Sequence, residues 1–413
     1  MPPRRASSPK KLARPTRRRR SAVAGKRRPS PRIPQKNKSI QNPKSKIQNR
    51  YVMVGGFLGA GKTTALSQLA RHLVSLNQRV GLITNDQGNG LVDTALLASR
   101  GFPVEEIPGG CFCCRFNSLV DAAAKLTRRS RPDVFLAEPV GSCTDLVATV
   151  SYPLRRIYGD QFVLSPLSVL VDPVRAQRVL GLAHGGRFSD KVRYIYRKQL
   201  EEADLIVINK CDLLDGDALA QLETALQREF PAARVLRISA RHGTGLSEWF
   251  HALTTETQKS RLAMQVDYEM YAEGEALLGW LNATIALRSR QPIDGNKLLR
   301  LLASAVQSRL RRQRAEVAHL KLTLDVAGGL GDLAVVNLVR NDFVPELSQE
   351  LQQPFRAAEV ILNLRAEASP ELLEAAVRHG LKSVCGPMQV RATVSHLERF
   401  RPGKPQPTHR FES

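Results

Sequence analysis

From residue 50 onward, short apolar runs alternate with stretches of helical periodicity. The runs are "YVMVG" (51–55), "RVGLITN" (79–85), "DVFLAE" (133–138), "LSVLVD" (167–172), "DLIVINK" (204–210) and "RVLRIS" (234–239). Nearly continuous apolar strands separated by helices imply a parallel sheet covered on both faces. Over 63–74, Leu66, Leu69, Ala70 and Leu73 fall on one stripe, the spacing of a core-facing helix. The pattern predicts an α/β, doubly wound, mostly parallel sheet domain over 50–257. A different rhythm follows, with strand-like "LGWLNATIAL", a long helix around 296–316, strand-like "HLKLTLDV", "LAVVNLV" and "AEVILNL", and a helix at "PELLEAAVRHG". It predicts a smaller α+β domain over 265–400, of ferredoxin-like order, followed by a polar tail over 401–413.

Charge divides the chain differently. The formal net charge is +24 over 413 residues, but residues 1–50 hold 18 Lys or Arg and no acid, leaving 44 basic against 38 acidic side chains in 51–413. The basicity belongs to a tail, residues 1–49, whose eight prolines and few apolar residues predict disorder. That tail reads as a solvated extension; contact with RNA, another nucleic acid or an anionic membrane, or a targeting address, are its functional alternatives. The cluster "RLRRQR" at 309–314 reads as a solvated helix face. No run of 18 apolar residues occurs and no apolar signal segment opens the chain, so no membrane span and a cytoplasmic location are expected. Cys143, Cys211 and Cys385 lack framework spacing, and reduced thiols are expected.

Three motifs carry nucleotide chemistry. "GFLGAGKT", Gly56 to Thr63, fits G-x-x-x-x-G-K-[ST] between a predicted strand and a predicted helix. Gly56, Gly59, Ala60 and Gly61 let backbone N–H groups turn toward phosphate oxygens, with Thr64 continuing into the helix whose dipole favours the anion. Lys62 should reach the β and γ phosphates and Thr63 should bind Mg²⁺. "NKCD" (209–212) follows the strand "DLIVI", so Asn209, Lys210 and Asp212 form a base-reading turn. The Asp212 carboxylate can accept from guanine N1–H and N2–H together, a donor pair adenine lacks, which predicts GTP. Ser239 and Ala240 in "ISA" should bring loop backbone to the base. Glu138 ends the strand "DVFLAE", where it could hold a magnesium-bound water or orient the attacking water, with Gly141 near the γ phosphate. The expected catalytic set is Lys62, Thr63 and Glu138.

"EIPGGCFCCRFNSLVDAAAKL" (106–126) places Cys111, Cys113 and Cys114 within four positions. Three readings stay open for them. They could form a redox C-x-x-C before a helix capped by Ser118, whose N-terminus would lower thiol pKa. They could belong to a structural zinc site, which needs four ligands where only three thiols are local. Or they could be an exchangeable soft-metal site with a mobile fourth ligand, the reading best matched by a thiolate trio. Gly109 and Gly110 would let the segment swing.

Taken in order, "GFLGAGKTT", "ITNDQG", "GGCFCC", "LAEPVG", "QLEEADLIVINKCDL" and "ISA" resemble the CobW-like metallochaperone GTPases, relatives of the nickel-insertion GTPases of urease and hydrogenase. The resemblance covers about residues 50–250. It implies a P-loop GTPase domain and a GTP-hydrolysing carrier or insertase that moves zinc or cobalt on the C-x-C-C thiols to a client metalloprotein, with GTP and Mg²⁺ as cofactors. Asp86 stands where the family usually has Glu in N-E-x-G, which makes it a candidate metal ligand, and Asn89 stands where a second Glu is common. A homodimer is an open alternative for the assembly. A reading of another class is a regulatory GTPase that docks on RNA or another polyanion through its basic tail, with structural or redox cysteines.

Overall fold

The computed structural model describes residues 49–85, 97, 101–326 and 332–413. The expectations for the basic tail, and those for Asp86 and Asn89, fall outside the described residues.

The first sheet takes the order β3-β2-β4-β1-β6-β7-β8. Its strands are β1 (Asn49–Gly55), β2 (Val80–Asn85), β3 (Val104–Ile107), β4 (Val134–Glu138), β6 (Ser168–Val171), β7 (Leu205–Ile208) and β8 (Arg234–Arg237), with β5 (Phe162–Leu164) also paired to β1. Every pairing is parallel. β2, β4, β6 and β7 are buried along their whole length, which is why they read as unbroken apolar runs. After β1 the chain places β2 and then β3 outward on one side, inserts β4 between β2 and β1, and then builds β6, β7 and β8 on the other. The order therefore reverses at β1, and the crevice beyond its carboxyl end is where an open α/β sheet binds ligand. Helix Lys62–Ser75 leaves that crevice with Leu66, Leu69, Ala70 and Leu73 fully buried, as the spacing predicts.

The second sheet takes the order β12-β11-β10-β13-β9-β14, all antiparallel. Its strands are β9 (Leu278–Ile293), β10 (Glu316–Val326), β11 (Leu333–Leu338), β12 (Glu346–Gln349), β13 (Phe355–Glu367) and β14 (Val390–Phe400). β14-β9-β13-β10 is the ferredoxin-like order, with β11 and β12 added beyond β10. Helices Gly295–Arg312 and Pro370–Cys385 pack together, closely enough that a Cβ on Gly380 would lie 3.1 Å from Leu302 and Val306. The helix expected to run to 316 stops at Arg312, because Arg314 turns with φ 56° and Glu316 already opens β10. Strand periodicity divides the sheet's two faces. Leu320, Leu322, Leu324, Val360, Leu362 and Leu364 join the core beneath the helices. The alternate residues His319, Lys321, Asn363 and Arg365 face the nucleotide crevice of the first sheet.

Arg175 joins the two sheets. Its guanidinium is buried, donates to the carbonyls of Leu58, Val317, Ala318 and Val339, and lies over the rings of Phe57 and Phe188. Beside it Asp172 pairs with Arg340 at 2.7 Å and with Lys210 at 2.9 Å. Residues 401–413, expected as a polar tail, are polar but docked: they return to the first domain and cross its cysteine segment. Among the described residues no helix is long and apolar enough to cross a membrane.

Candidate functional site

The turn from β1 into helix Lys62–Ser75 depends on glycine. Gly56 has φ 125°, and a Cβ there would lie 2.3 Å from the Leu170 carbonyl; Gly61 has φ 90°, and a Cβ would lie 2.4 Å from Asn209 Nδ2. Gly61 caps the helix without a side-chain hydrogen bond, so the first-turn N–H groups are directed to the crevice. Lys62 Nζ donates to the Gly56 carbonyl at 2.9 Å. The Thr63 hydroxyl donates to Glu138 Oε1 at 3.0 Å, and Lys62 Nζ stands 4.0 Å from the same oxygen. Lys62, Thr63 and Glu138 are therefore together, buried at the switch point, and the paired hydroxyl and carboxylate form the hard-oxygen set that suits magnesium. Thr64 is exposed at the helix start.

The turn Asn209–Asp212 is tied to the glycine-rich loop after β1 by its own side chains. Asn209 Nδ2 donates to the Ala60 carbonyl at 2.8 Å, and Asn209 Oδ1 accepts from the Ala240 N–H at 3.0 Å. Lys210 donates to the Gly59 carbonyl at 2.7 Å. Ala240 also accepts from Gln68, and the Ser239 hydroxyl accepts from the His242 N–H. Asn209, Lys210, Ser239 and Ala240 thus fix the spacing of three loops, while Asp212 lines the crevice with its carboxylate half exposed, 3.7 Å from His242. The crevice encloses about 270 Å³ between this edge and the polar face of the second sheet.

The three cysteines sit in a turn between β3 and helix Phe116–Ser130. That helix begins two residues before the cap expected at Ser118, which lies inside it. The turn is held rather than swinging. Asn85, at the end of β2, donates to the carbonyls of Ile107 and Gly110 at 2.9 and 2.6 Å, and the Arg115 guanidinium clasps the Gly109 carbonyl. Gly109 and Gly110 are required by φ of 73° and 147°. The sulfur of Cys111 lies 2.7 Å from Cys113 and 3.1 Å from Cys114, and that of Cys113 lies 3.6 Å from Cys114. Four thiolates around zinc at 2.3 Å would have edges of about 3.8 Å, so these three need only part slightly to take such an ion. Hydrogen bonds from Cys113, Cys114 and Cys143 hold the Cys111 thiol well below its ordinary value. The bond to Cys111 pushes Cys114 up to about 11, so the cluster carries its first negative charge on Cys111.

Comparison with known proteins places this geometry. The CobW/HypB/UreG nucleotide-binding domain matches residues 50–237. Those residues are a CobW/HypB/UreG domain. The zinc chaperone YeiR of Escherichia coli K12 is 32% identical over 186 residues, 43% of this chain and 50% of that protein. The zinc chaperone CobW of a Sinorhizobium species is 30% identical over 196 residues, 40% of this chain and 52% of that protein. The chain thus spans about half the length of the curated relatives it matches. Among solved structures, the Zn(II)-bound YjiA GTPase of E. coli aligns with 80% of this chain and 98% of its own at 16% identity and a TM-score of 0.33.

Two parts of the surroundings of this CobW/HypB/UreG domain escape sequence reasoning. The docked tail is one: Gln406 N–H donates to Cys114 Sγ at 3.2 Å, Thr408 N–H donates to the Cys113 carbonyl at 2.9 Å, and Arg410 pairs with buried Asp145 at 2.8 Å. The other is Cys143, buried beyond Glu138 in the same core cluster as Cys111 and Cys113. A polar C-terminal stretch gives no signal for the first. The second could have been sought by noting that the loops after β3 and β4 leave the same edge of one sheet.

Proposed function

We propose that the chain is a GTP-hydrolysing metal carrier that holds a divalent transition ion, zinc before cobalt, on Cys111, Cys113 and Cys114 and passes it to a client metalloprotein. The observation that carries this reading is the convergence of three thiol sulfurs within 4.8 Å of one another, on a segment between the phosphate loop and the strand that ends in Glu138. Soft thiolates select zinc-like ions over magnesium or calcium, and the zinc chaperones among the relatives support the same cargo.

In this reading Lys62 exchanges the Gly56 carbonyl for the β and γ phosphates of GTP. The N–H groups of Gly59, Gly61 and the first helical turn surround the phosphates, while the Ala60 N–H closes the loop on the Phe57 carbonyl at 3.1 Å. Thr63 and Glu138 would hold magnesium, which when bound neutralises charge on the β and γ oxygens. Glu138 also orients the attacking water, and Gly141 brings its N–H to the γ phosphate. Asp212 accepts from guanine N1–H and N2–H, while Asn209 and Lys210 keep base and phosphate loops at a fixed spacing. Asp86 stays a candidate oxygen ligand on the strength of its sequence position alone.

The test is a zinc competition titration against a chromophoric chelator, on the reduced full chain, with a non-hydrolysable GTP analogue and with GDP. Zinc should bind the wild type and be lost in the triple Cys111→Ser, Cys113→Ser, Cys114→Ser variant. Affinity should be higher in the GTP-like state by roughly 5- to 150-fold, the usual size of coupling between two sites. Zinc binding that survives loss of the three thiols would overturn the reading.

A further inference from the structure

We infer that the second sheet completes the triphosphate end of the crevice, with Lys321 of β10 and Arg365 of β13 lending their charges to the γ phosphate across from Lys62. The inference rests on the GTP-hydrolysing part of the reading above and adds to that site two residues that no nucleotide motif contains.

The crevice has two walls of different origin. One carries Lys62, Thr63, Glu138 and Asp212, and the other is the face of the second sheet that includes His319, Lys321, Asn363 and Arg365. The walls touch. A Cβ on Gly59, in the glycine-rich loop, would lie 3.0 Å from the Val339 side chain and 3.2 Å from the Ala318 carbonyl. The enclosed volume of about 270 Å³ is near the lower end, ~300 Å³, of pockets that bury most of a small ligand's surface. A ligand in so small a space does not rest on one wall alone, so a nucleotide held by the glycine-rich loop also meets the second sheet.

Strand order decides which part of the nucleotide meets which residue. β12 stands at the base end, where Glu346 pairs with Arg241, the neighbour of Ala240. From β12 through β11 and β10 to β13 is three strand spacings, about 14 Å in all, which leads from the base toward the far end of an extended triphosphate. There Trp280 and Ala318 of the second sheet belong to the core cluster of Val140, which lies between Glu138 and Gly141. The Arg365 guanidinium lies over the Trp280 ring, 3.9 Å from its centroid, and Nη1 donates to the carbonyls of Leu281 and Leu364 at 3.0 Å. A planar fork fixed in this way loses little further freedom on meeting an anion. Arg365 is opposite His319 in the β10–β13 register, which puts Lys321 on its diagonal. Diagonal neighbours on one face are about 7–8 Å apart, a span that long side chains bridge. Charge runs in the same direction: among the sheet's lining residues the acid, Glu346, is on β12, and the cations Lys321 and Arg365 are on β10 and β13. A nucleoside triphosphate has the matching polarity, with its negative charge at the end away from the base.

In hydrolysis the bond from the γ phosphorus to the GDP oxygen breaks as the bond to the water oxygen forms, and the water's proton leaves on inorganic phosphate. Charge spreads over the γ-phosphoryl oxygens in the transition state, where cations already fixed in place stabilise it. GDP lacks that phosphate, so Lys321 and Arg365 would separate GTP from GDP as well as speed the reaction.

Calorimetric titration of the full chain with a non-hydrolysable GTP analogue and with GDP, together with single-turnover GTP hydrolysis, tests this on Lys321→Gln, Arg365→Gln and Arg365→Lys. Lys321→Gln and Arg365→Gln should each weaken the analogue about tenfold or more while GDP affinity holds, since each removes a charge-assisted contact to the γ phosphate alone. Hydrolysis should slow about 10³-fold in Arg365→Gln, the lower range for loss of a transition-state arginine. Arg365→Lys should recover part of the analogue affinity, because it keeps the charge and loses the stacked fork. Lys321 is half-buried, so Lys321→Gln decides the matter if Arg365→Gln does not fold. An unchanged ratio of analogue to GDP affinity in Lys321→Gln, whether both affinities hold or both fall together, would overturn the inference and leave the GTPase reading intact. A wild type that neither binds nor hydrolyses GTP would overturn both.

Discussion

Asp172→Asn is the substitution whose cost the geometry defines best. The carboxylate is 3% exposed, pairs with Arg340 at 2.7 Å and Lys210 at 2.9 Å, and caps the following helix through the Arg175 N–H. Burial alone would raise its pKa, but Lys210, Arg340 and Arg175 outweigh that and hold it at about 2 against an ordinary 3.8. A folded pKa below the unfolded one means stability fully present above pH ~4 and lost as pH falls toward ~2, a contribution of about 2.5 kcal/mol. Replacement by Asn does more than neutralise the acid, because among the described residues it leaves the buried Arg340 with Asp342 as its remaining acid and Lys210 with none. Removing one partner of a buried pair costs about 3–5 kcal/mol. At about 2 °C per kcal/mol for a domain of this size, the midpoint should fall by roughly 6–10 °C. Trp249 and Trp280, each fully buried and one in each half of the molecule, report the transition by fluorescence. Arg340→Met should cost less, since Asp172 keeps Lys210, and the double variant should recover part of the Asp172→Asn loss. An Asp172→Asn protein within about 1 kcal/mol of wild type, or a costlier Arg340→Met, would refute the reasoning.

Asp212→Asn should weaken GTP binding roughly a hundredfold, as two charge-assisted hydrogen bonds of about 1.5–3 kcal/mol are lost; unchanged affinity in a calorimetric titration would remove the case for guanine. Burial, reinforced by Asp145, pushes Glu202 up to about 8 from 4.5. The unfolded chain therefore releases this proton first, and stability should fall by about 1.4 kcal/mol per pH unit between pH ~4.5 and ~8; Glu202→Gln should flatten that slope in denaturant titrations, and an unchanged slope would exclude Glu202 as its source. Arg410→Met removes the ion pair that anchors the docked tail to Asp145. It should speed alkylation of Cys114 several-fold, and an unaltered rate would show that the tail does not shield the thiols.

The first domain was legible because its central strands are buried on both faces and so write themselves as apolar runs. Elements that meet solvent were not. β14, "VRATVSHLERF", is a half-exposed edge strand, and β3, "VEEI", carries two acids, so neither gives an apolar run. Site residues followed the same division. Lys62, Thr63 and Glu138 were readable because each belongs to a motif tied to a strand end. Asn209 and Lys210 were readable as a motif, but their hydrogen bonds to Ala60 and Gly59 exist only once strands β1 and β7 lie near each other. Cys143 was grouped with the cysteines that lack framework spacing, and its place in the core cluster of Cys111 and Cys113 follows only once β3 and β4 end at one edge of the sheet. The docking of residues 401–413 left no mark in composition, which registers polarity and says nothing of a backbone N–H aimed at a sulfur.

The contacts of that tail span 292 residues from Cys114 to Gln406 and 294 from Cys114 to Thr408. At a synthesis rate of about 5–20 residues per second, roughly 15–60 s separate the emergence of the thiols from that of the segment that covers them. The turn bearing Cys111, Cys113 and Cys114 is fastened by neighbours within the first domain, Asn85 and Arg115, so it can be in place before the second sheet exists. In each newly made chain the thiols therefore emerge well before the segment that covers them.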